Sequence, residues 1–240
     1  MVMLQKLLQM PEGMPLFYQY LHKQGYSAQL LYKYVQNGWL ERVAGGVYRK
    51  KGKDLDPLMI IKAVQEQLGR PFFIGAQSAL RLQGKAQTLT FQNSYLVLVP
   101  SHCRLSIWLK GLESFRFIKA NLFEDGSSGL TVFEEGGPKI SAPERAFLEM
   151  AALIPKDAEY SEFLASMELA PNLRPKLLQT LLEGCTSVKA KRIFLHVAET
   201  QNHRWVSKLD LKRVDMGSGP RQIVKDGEFS KKYQIYLPKG

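Results

Sequence analysis

Residues 27–52 read SAQLLYKYVQNGWLERVAGGVYRKKG, and two glycine punctuations inside that stretch leave it few ways to fold. Ser27 offers a hydroxyl to the free backbone N–H groups of a first helical turn. Leu30, Leu31, Tyr34 and Val35 then line one helical face, and the pattern predicts a helix running to Asn37 and stopping at Gly38. Residues 39–43 read as a strand, Ala44, Gly45 and Gly46 as a tight turn, and residues 47–49 as the returning strand.

The preceding residues supply two more helical segments. Leu4, Leu7 and Leu8 open an amphipathic stretch that Pro11, Glu12 and Gly13 end. In residues 16–23, Leu16, Phe17, Tyr20 and Leu21 occupy i, i+1, i+4 and i+5, which predicts a second helix with Gly25 as its C-cap. Three short helices followed by a hairpin is the element order of a winged helix-turn-helix.

On the predicted third helix, Gln29, Tyr32, Lys33 and Gln36 fall opposite the apolar face, at i, i+3, i+4 and i+7. A major groove suits these residue types: Gln pairs bidentately with adenine, Lys reaches guanine or phosphate, and a Tyr hydroxyl bonds phosphate. A polar stripe is equally what any solvated helix carries. The hairpin adds Arg42, Arg49, Lys50, Lys51 and Lys53, with no acid between the first and the last. Cations there would meet phosphates, although charge at a hairpin also blocks edge pairing, and winged folds also serve as protein-interaction modules. With Ser27 as the cap, these ten residues are the candidate DNA-reading unit.

Net charge supports a polyanionic partner. The chain carries +11, unevenly spread: residues 1–90 hold 12 Lys and Arg against 5 Asp and Glu, residues 91–184 hold 9 against 12, and residues 185–240 hold 12 against 5. Clustered cations gain from releasing counterions condensed on a phosphate backbone. In the basic C-terminal segment, Lys189, Lys191, Arg192, Lys208, Lys212, Arg213 and Arg221 form a second candidate surface, for a protein partner, for RNA or for flanking DNA. Lys189, Arg192 and His196 share a helical face, although Lys and Arg late in a helix are also what its dipole favours.

Past the hairpin, Asp56 and Pro57 sit where a cap and first helical residue belong, with Gly69 at the far end. A buried strand is expected at residues 72–74 and a helix at 76–82. Residues 95–99, 105–109, 115–119 and 130–133 read as strands. From Ser141 the period changes, and residues 143–153, 161–169, 175–182 and 187–200 read as helices. Ile223 and residues 233–237 supply a terminal hairpin. The fold class is therefore α+β: a winged helix over residues 1–53, then a larger mixed domain over 54–240, with the boundary between 53 and 90.

Other functional classes find little support. His22, His102, His196 and His203 show no metal spacing, and neither a phosphate-binding P-loop nor a nucleophile-elbow motif is present. No cofactor, metal or catalytic set is expected. The turn of Gly217, Ser218 and Gly219, beside Arg213 and Arg221, has the composition of a phosphate cradle but also of an ordinary turn. Glu134, Glu135, and Glu144 with Arg145 read as surface or ion-pair residues, and Cys103 and Cys185 as packing residues. No apolar run reaches membrane-spanning length and no signal peptide is legible, so the expected location is the cytosol.

The sequence resembles the AbiEi family antitoxins of bacterial type IV toxin-antitoxin systems. QLLYKYVQNGWLERVAGGVYRKKG is similar to that family's recognition helix and wing, and FFIGAQSALRLQG to its following strand and helix. SAPERAFLEM is similar to its Ser-x-x-Glu-Arg helix start, and VDMGSGPRQIVKDGEFSKKYQIYLP to its C-terminal segment; residues 85–140 carry none of these stretches. The resemblance implies a winged helix that represses its own operon at inverted repeats in double-stranded promoter DNA, and a larger domain that contributes to antitoxicity. It also implies a nucleotidyltransferase-like toxin, neutralised without a stable antitoxin-toxin complex.

Overall fold

The computed structural model describes residues 2–86, 94–224 and 227–238. The first fifty residues form α1 (Val2–Leu8), β1 (Leu16–Phe17), α2 (Tyr18–Lys23), α3 (Ala28–Gln36), β2 (Leu40–Ala44) and β3 (Val47–Lys50). The strands make an antiparallel sheet of order β1-β3-β2, the arrangement of a winged helix. The Ser27 Oγ accepts from Leu30 N at 3.2 Å, and Gly38 adopts φ +72, so the cap and stop of α3 fall where the sequence put them.

Residues 16–23 are not one helix. Leu16 and Phe17 pair with Tyr48 and Val47 as a strand, and helix begins only at Tyr18. Two adjacent apolar residues satisfy a helical face and a doubly buried strand equally, and here strand alternation wins because two cores flank the segment. Leu16 points into the small core of Leu7, Leu21, Tyr26, Leu31 and Leu40, while Phe17 joins the larger core with Met14 and Val47. The winged helix thus lends side chains to its neighbour.

α4 (Pro57–Leu68) joins the two parts. Asp56 caps it through Met59 N at 2.9 Å, and Gly69 ends it in the left-handed region. The buried Gln67 amide donates to Pro15 O at 2.8 Å and accepts from Phe17 N at 2.9 Å, replacing ladder bonds at the outer side of β1. Gln65 does the same for the larger part, donating to Phe72 O and Lys139 O and accepting from Lys139 N. The window for the domain boundary spans this helix; its last positions, 87–90, lie outside the described residues.

The larger part is built on a mixed five-stranded sheet of order β6-β5-β4-β8-β7, from β4 (Phe73–Ile74), β5 (Tyr95–Val99), β6 (Phe115–Lys119), β7 (Leu130–Val132) and β8 (Lys139–Ser141). β5–β6 and β4–β8 are parallel; β4–β5 and β7–β8 are antiparallel. α5 (Ala76–Leu82), α7 (Pro143–Leu153), α8 (Tyr160–Glu168), α9 (Pro175–Gly184) and α10 (Val188–Thr200) supply the helical layer. A small sheet of β9 (Arg221–Gln222), β10 (Glu228–Ser230) and β11 (Ile235–Leu237) ends the described chain.

Residues 105–109, expected as a strand, contain the start of α6 (Ile107–Lys110). Their alternating pattern is overridden by Ser106, whose Oγ accepts from Leu109 N at 3.2 Å and opens a helical turn. β8 is too short to leave a periodic signal.

SAPERAFLEM forms a buried charge network. Arg145 Nε donates to Glu149 Oε1 at 2.7 Å, its Nη1 donates to Gly126 O and Ser128 O, and its guanidinium stands 4.4 Å from the Phe73 ring centre. Glu149 also accepts from Ser141 Oγ and Ala76 N, both at 3.0 Å. Glu144 turns elsewhere, to a bidentate pair with Arg174 at 2.9–3.0 Å. Burial works to raise the Glu144 pKa, but the Arg174 hydrogen bonds and charge outweigh it and hold the carboxyl below its ordinary range. Neighbours in sequence, Glu144 and Arg145 thus belong to different pairs.

Candidate nucleic-acid interface

α3 buries Leu31 completely and half-buries Leu30, Tyr34 and Val35 against α1, α2 and β2. Gln29, Tyr32, Lys33 and Gln36 are all exposed, Tyr32 at 66%. None of the four side chains has a partner among the described residues. The stripe is therefore a row of donors and acceptors facing water, with the Ser27 cap fixing the end from which it projects.

The hairpin treats its five cations very differently. Its turn, at Gly45 and Gly46, folds back so that Gly46 O accepts from Tyr18 N at 2.8 Å. Arg42, near that turn, is exposed and makes only a long contact to Ala44 O at 3.4 Å. The other four cations stand at the hairpin's base. Arg49 is held between Glu41 at 2.8 Å and Asp54 at 3.2 Å. Lys53 pairs with Glu12 at 3.0 Å. Lys50 turns inward and donates to Leu8 O and Met10 O, closing carbonyls at the end of α1. Lys51 alone of these is exposed with no side-chain partner among the described residues, its ammonium beside Gly38 at the end of α3. Glu41 and Asp54, which engage Arg49, lie just outside residues 42–53, and Glu12, which engages Lys53, lies far upstream, so a local count of charge could not find them.

The C-terminal set divides in the same way. Lys191 and Arg192 are 2% exposed and cannot belong to a surface, which corrects that part of the expectation. Arg192 donates to Met216 O, Gly217 O, Gly219 O and Gln234 O. The Gly217–Ser218–Gly219 turn therefore presents carbonyls to a guanidinium, the opposite polarity to a phosphate cradle. Lys189 is half-buried with its ammonium on Ile154 O at 2.5 Å, and desolvation pushes its pKa down. Arg213 pairs with Glu183 at 2.9 Å while remaining exposed. Lys208, Lys212 and Arg221 are exposed, and no acid pairs with them among the described residues. His196, on the face shared by Lys189, is half-buried, and desolvation lowers its pKa.

Sequence reasoning missed two features beside the winged helix. Trp39, at the start of the hairpin, is exposed although nothing in its pattern marks it as such. α6 stands against the hairpin turn, and Ser106, Ile107 and Trp108 face Tyr18, Gly45 and Gly46 across a cleft of about 590 Å³. No local signal reports that meeting, because the segments are brought together only by the larger fold. Among the described residues no group of three or more His, Cys, Asp or Glu side chains gathers to hold a metal, and no helix is long and apolar enough to cross a membrane.

A winged helix with an unpaired polar stripe, joined through α4 to a larger mixed α+β body, has the architecture of a transcriptional regulator. Comparison with known proteins makes this specific. Residues 2–91 match the family model described as the transcriptional regulator AbiEi antitoxin N-terminal domain. Residues 92–238 match that described as the transcriptional regulator AbiEi antitoxin of a type IV toxin-antitoxin system. The chain belongs to the AbiEi antitoxin family. No curated protein sequence matches it. Among solved structures, the RV2827C protein from Mycobacterium tuberculosis has a similar fold, with a TM-score of 0.64 at 16% identity, covering 97% of this chain and 89% of that one.

Proposed function

We propose that the chain is a DNA-binding autorepressor and antitoxin, acting in the cytosol against a nucleotidyltransferase-like toxin. Its α3 lies in the major groove of its own promoter at inverted repeats. Gln29, Tyr32, Lys33 and Gln36 read base edges and phosphates, and Arg42 and Lys51 hold the backbone. Arg49 and Lys53 contribute only if their acid partners release them. Lys50 is assigned to holding α1. The larger part carries antitoxicity, with Lys208, Lys212, Arg213 and Arg221 as the exposed members of its C-terminal candidate set. The observation that carries this reading is the unpartnered stripe on α3, whose residue types suit a groove and whose ends are fixed by Ser27 and Gly38.

The test uses the full chain and the duplex upstream of its own reading frame. Lys33→Ala and the Gln29→Ala, Gln36→Ala pair should each weaken binding at low salt while leaving thermal stability unchanged. Unaltered binding by both would remove α3 as the reading element. Co-expression with a nucleotidyltransferase-like neighbour gene separates the two roles: the α3 variants should derepress the promoter yet still protect the cell. Point variants serve better here than deletion of residues 1–53, which would strip Met14, Phe17 and Val47 from the larger core.

A further inference from the structure

The larger part holds a cleft of about 700 Å³ between the end of α4 and the β7–β8 side of the five-stranded sheet, and no residue of the DNA-reading unit lines it. Strand register sets its floor. Val132 pairs with Lys139 across β7 and β8, and Ile74 pairs with Ile140 in the parallel β4–β8 ladder, so Phe73, Lys139 and Val132 stand in one row on the same face. All three line the cleft. Val132 is 56% exposed, and Leu130, its neighbour on that face, is half-buried. Apolar side chains are thus left facing water inside a concave site.

Hydrogen bonds hold the walls. On one side Arg145 donates to Gly126 O and Ser128 O, and Asp125 accepts from Ser127 N at 2.9 Å and from the Ser127 and Ser128 hydroxyls at 2.7 Å. On the other, Gln65 ties α4 to Phe72 O and to both backbone groups of Lys139. Arg70, just past the end of α4, donates its N–H to Val64 O at 3.1 Å and accepts from Phe72 N at 2.9 Å, so its side chain starts from a fixed point.

Charge selects the occupant. Three cations line the cleft, Lys62, Arg70 and Lys139, against one acid, Glu66, which Lys62 engages at 3.2 Å. Arg70 and Lys139 are exposed, and their side chains have no partner among the described residues. A neutral apolar ligand would leave both cations unused. A strand added along the outer edge of β7 would miss Lys139 and Phe73, which lie one and two strands further in. The Phe72 and Phe73 rings are 1% and 6% exposed, so neither offers an open face for a nucleobase to stack on.

We infer that this cleft binds an amphipathic organic anion of small-molecule size, its apolar body lying over Leu130, Val132 and Pro71 and its carboxylate or phosphate held by Arg70 and Lys139. The volume falls within the roughly 300–1,000 Å³ of small-molecule sites, which pair apolar walls with a few convergent polar groups. The planar guanidinium of Arg70 offers paired donors that match either anion. The inference stands apart from duplex recognition and does not depend on it.

The test is a fluorescence titration of the full chain with anilinonaphthalene sulfonate, an apolar anion, beside phenylnaphthylamine, the same body without the sulfonate. Wild type should bind one sulfonate probe per chain, saturably and more tightly than the neutral probe, and decanoate should displace it where decanol does not. The combined Arg70→Ala, Lys139→Ala change should weaken sulfonate binding by roughly 10-fold or more, the worth of one charge-assisted hydrogen bond, and leave the neutral probe's affinity alone. Val132→Glu should weaken both probes; because the position is exposed, its melting temperature should match wild type, which reports that the variant is folded. Absence of saturable binding, equal affinity for the charged and neutral probes, equal displacement by decanoate and decanol, or wild-type affinity in both variants overturns the proposal. So does a dimer in sedimentation that Val132→Glu dissociates, because a second copy of the chain would then cover this face.

Discussion

α3 and α10 are near twins in sequence logic and opposites in the folded chain. Each opens on a serine whose Oγ accepts a backbone N–H three residues on at 3.2 Å, from Leu30 for Ser27 and from Ala190 for Ser187. Each carries cations among apolar residues. On α3, Lys33 faces water with no partner among the described residues; on α10, Lys191 and Arg192 are buried and Arg192 is consumed by four backbone carbonyls. The difference lies in what the rest of the chain brings to each helix. One face of α3 meets only the small core of the winged helix, whereas α10 is roofed by α7, α8 and the C-terminal sheet. A basic stretch is a binding surface only where the fold has left its charges over.

The sharpest way to break that contrast is Arg192→Ala. It orphans the carbonyls of Met216, Gly217 and Gly219, while Gln234 O keeps the Arg221 N–H, so it should cost about 3 kcal/mol or more, each unsatisfied group costing about 1–3. Urea denaturation should show a lower midpoint, while the folded fraction keeps its affinity for promoter DNA. If stability is unchanged, Arg192 is not the fastener described here.

Lys33→Ala should do the reverse. Losing one groove contact is worth about 1–3 kcal/mol of binding, while an exposed, unpartnered lysine contributes within about 0.5 kcal/mol to stability. Titration of the upstream duplex at fixed low salt, beside a thermal melt, reads both quantities. A stability loss without a binding loss would make α3 a structural helix like α10.

The caps sharpen the comparison further. Ser27→Ala and Ser187→Ala each remove one hydroxyl acceptor from a first helical turn and should each cost about 1 kcal/mol. Only Ser27→Ala should also weaken duplex binding, because the proposed reading sets only the first turns of α3 against the groove. Equal effects of both on binding would mean that the loss follows from general destabilisation.

Much of this architecture was legible because its signals are local. Ser27, Gly38 and the Gly45, Gly46 turn act within a few residues of themselves, as do Asp56, Pro57 and Gly69 around α4, and all of them fold as their chemistry dictates. What the local signals did not report has the opposite cause. Leu16 and Phe17 are a strand because Val47 and Tyr48 lie beside them, and Arg49 and Lys53 are paired by acids outside the cationic stretch. The turn at Gly217 faces a guanidinium delivered from α10. In each case the deciding partner is distant in sequence or just outside the window in which a motif is recognised. Residues 105–109 failed differently: a single Ser106 hydroxyl was enough to turn an alternating pattern into a helical turn.

Lys50 and Lys51 reduce the comparison to two consecutive residues. Both end the same hairpin, and a charge count treats them alike. Lys50 sends its ammonium to Leu8 O and Met10 O, so Lys50→Ala leaves those carbonyls short of a donor and should lower stability by about 1–2 kcal/mol. Lys51, exposed beside the end of α3, has no such duty. Each phosphate that a cation neutralises adds about 0.9 to the slope of log affinity against log salt. Lys51→Ala should therefore flatten that slope by about 0.9 with little change in melting temperature, and Lys50→Ala should leave the slope alone. A flattened slope in Lys50→Ala would mean that its ammonium leaves α1 when DNA arrives. An unchanged slope in both would move the phosphate track away from the hairpin's base and toward Arg42 at its turn.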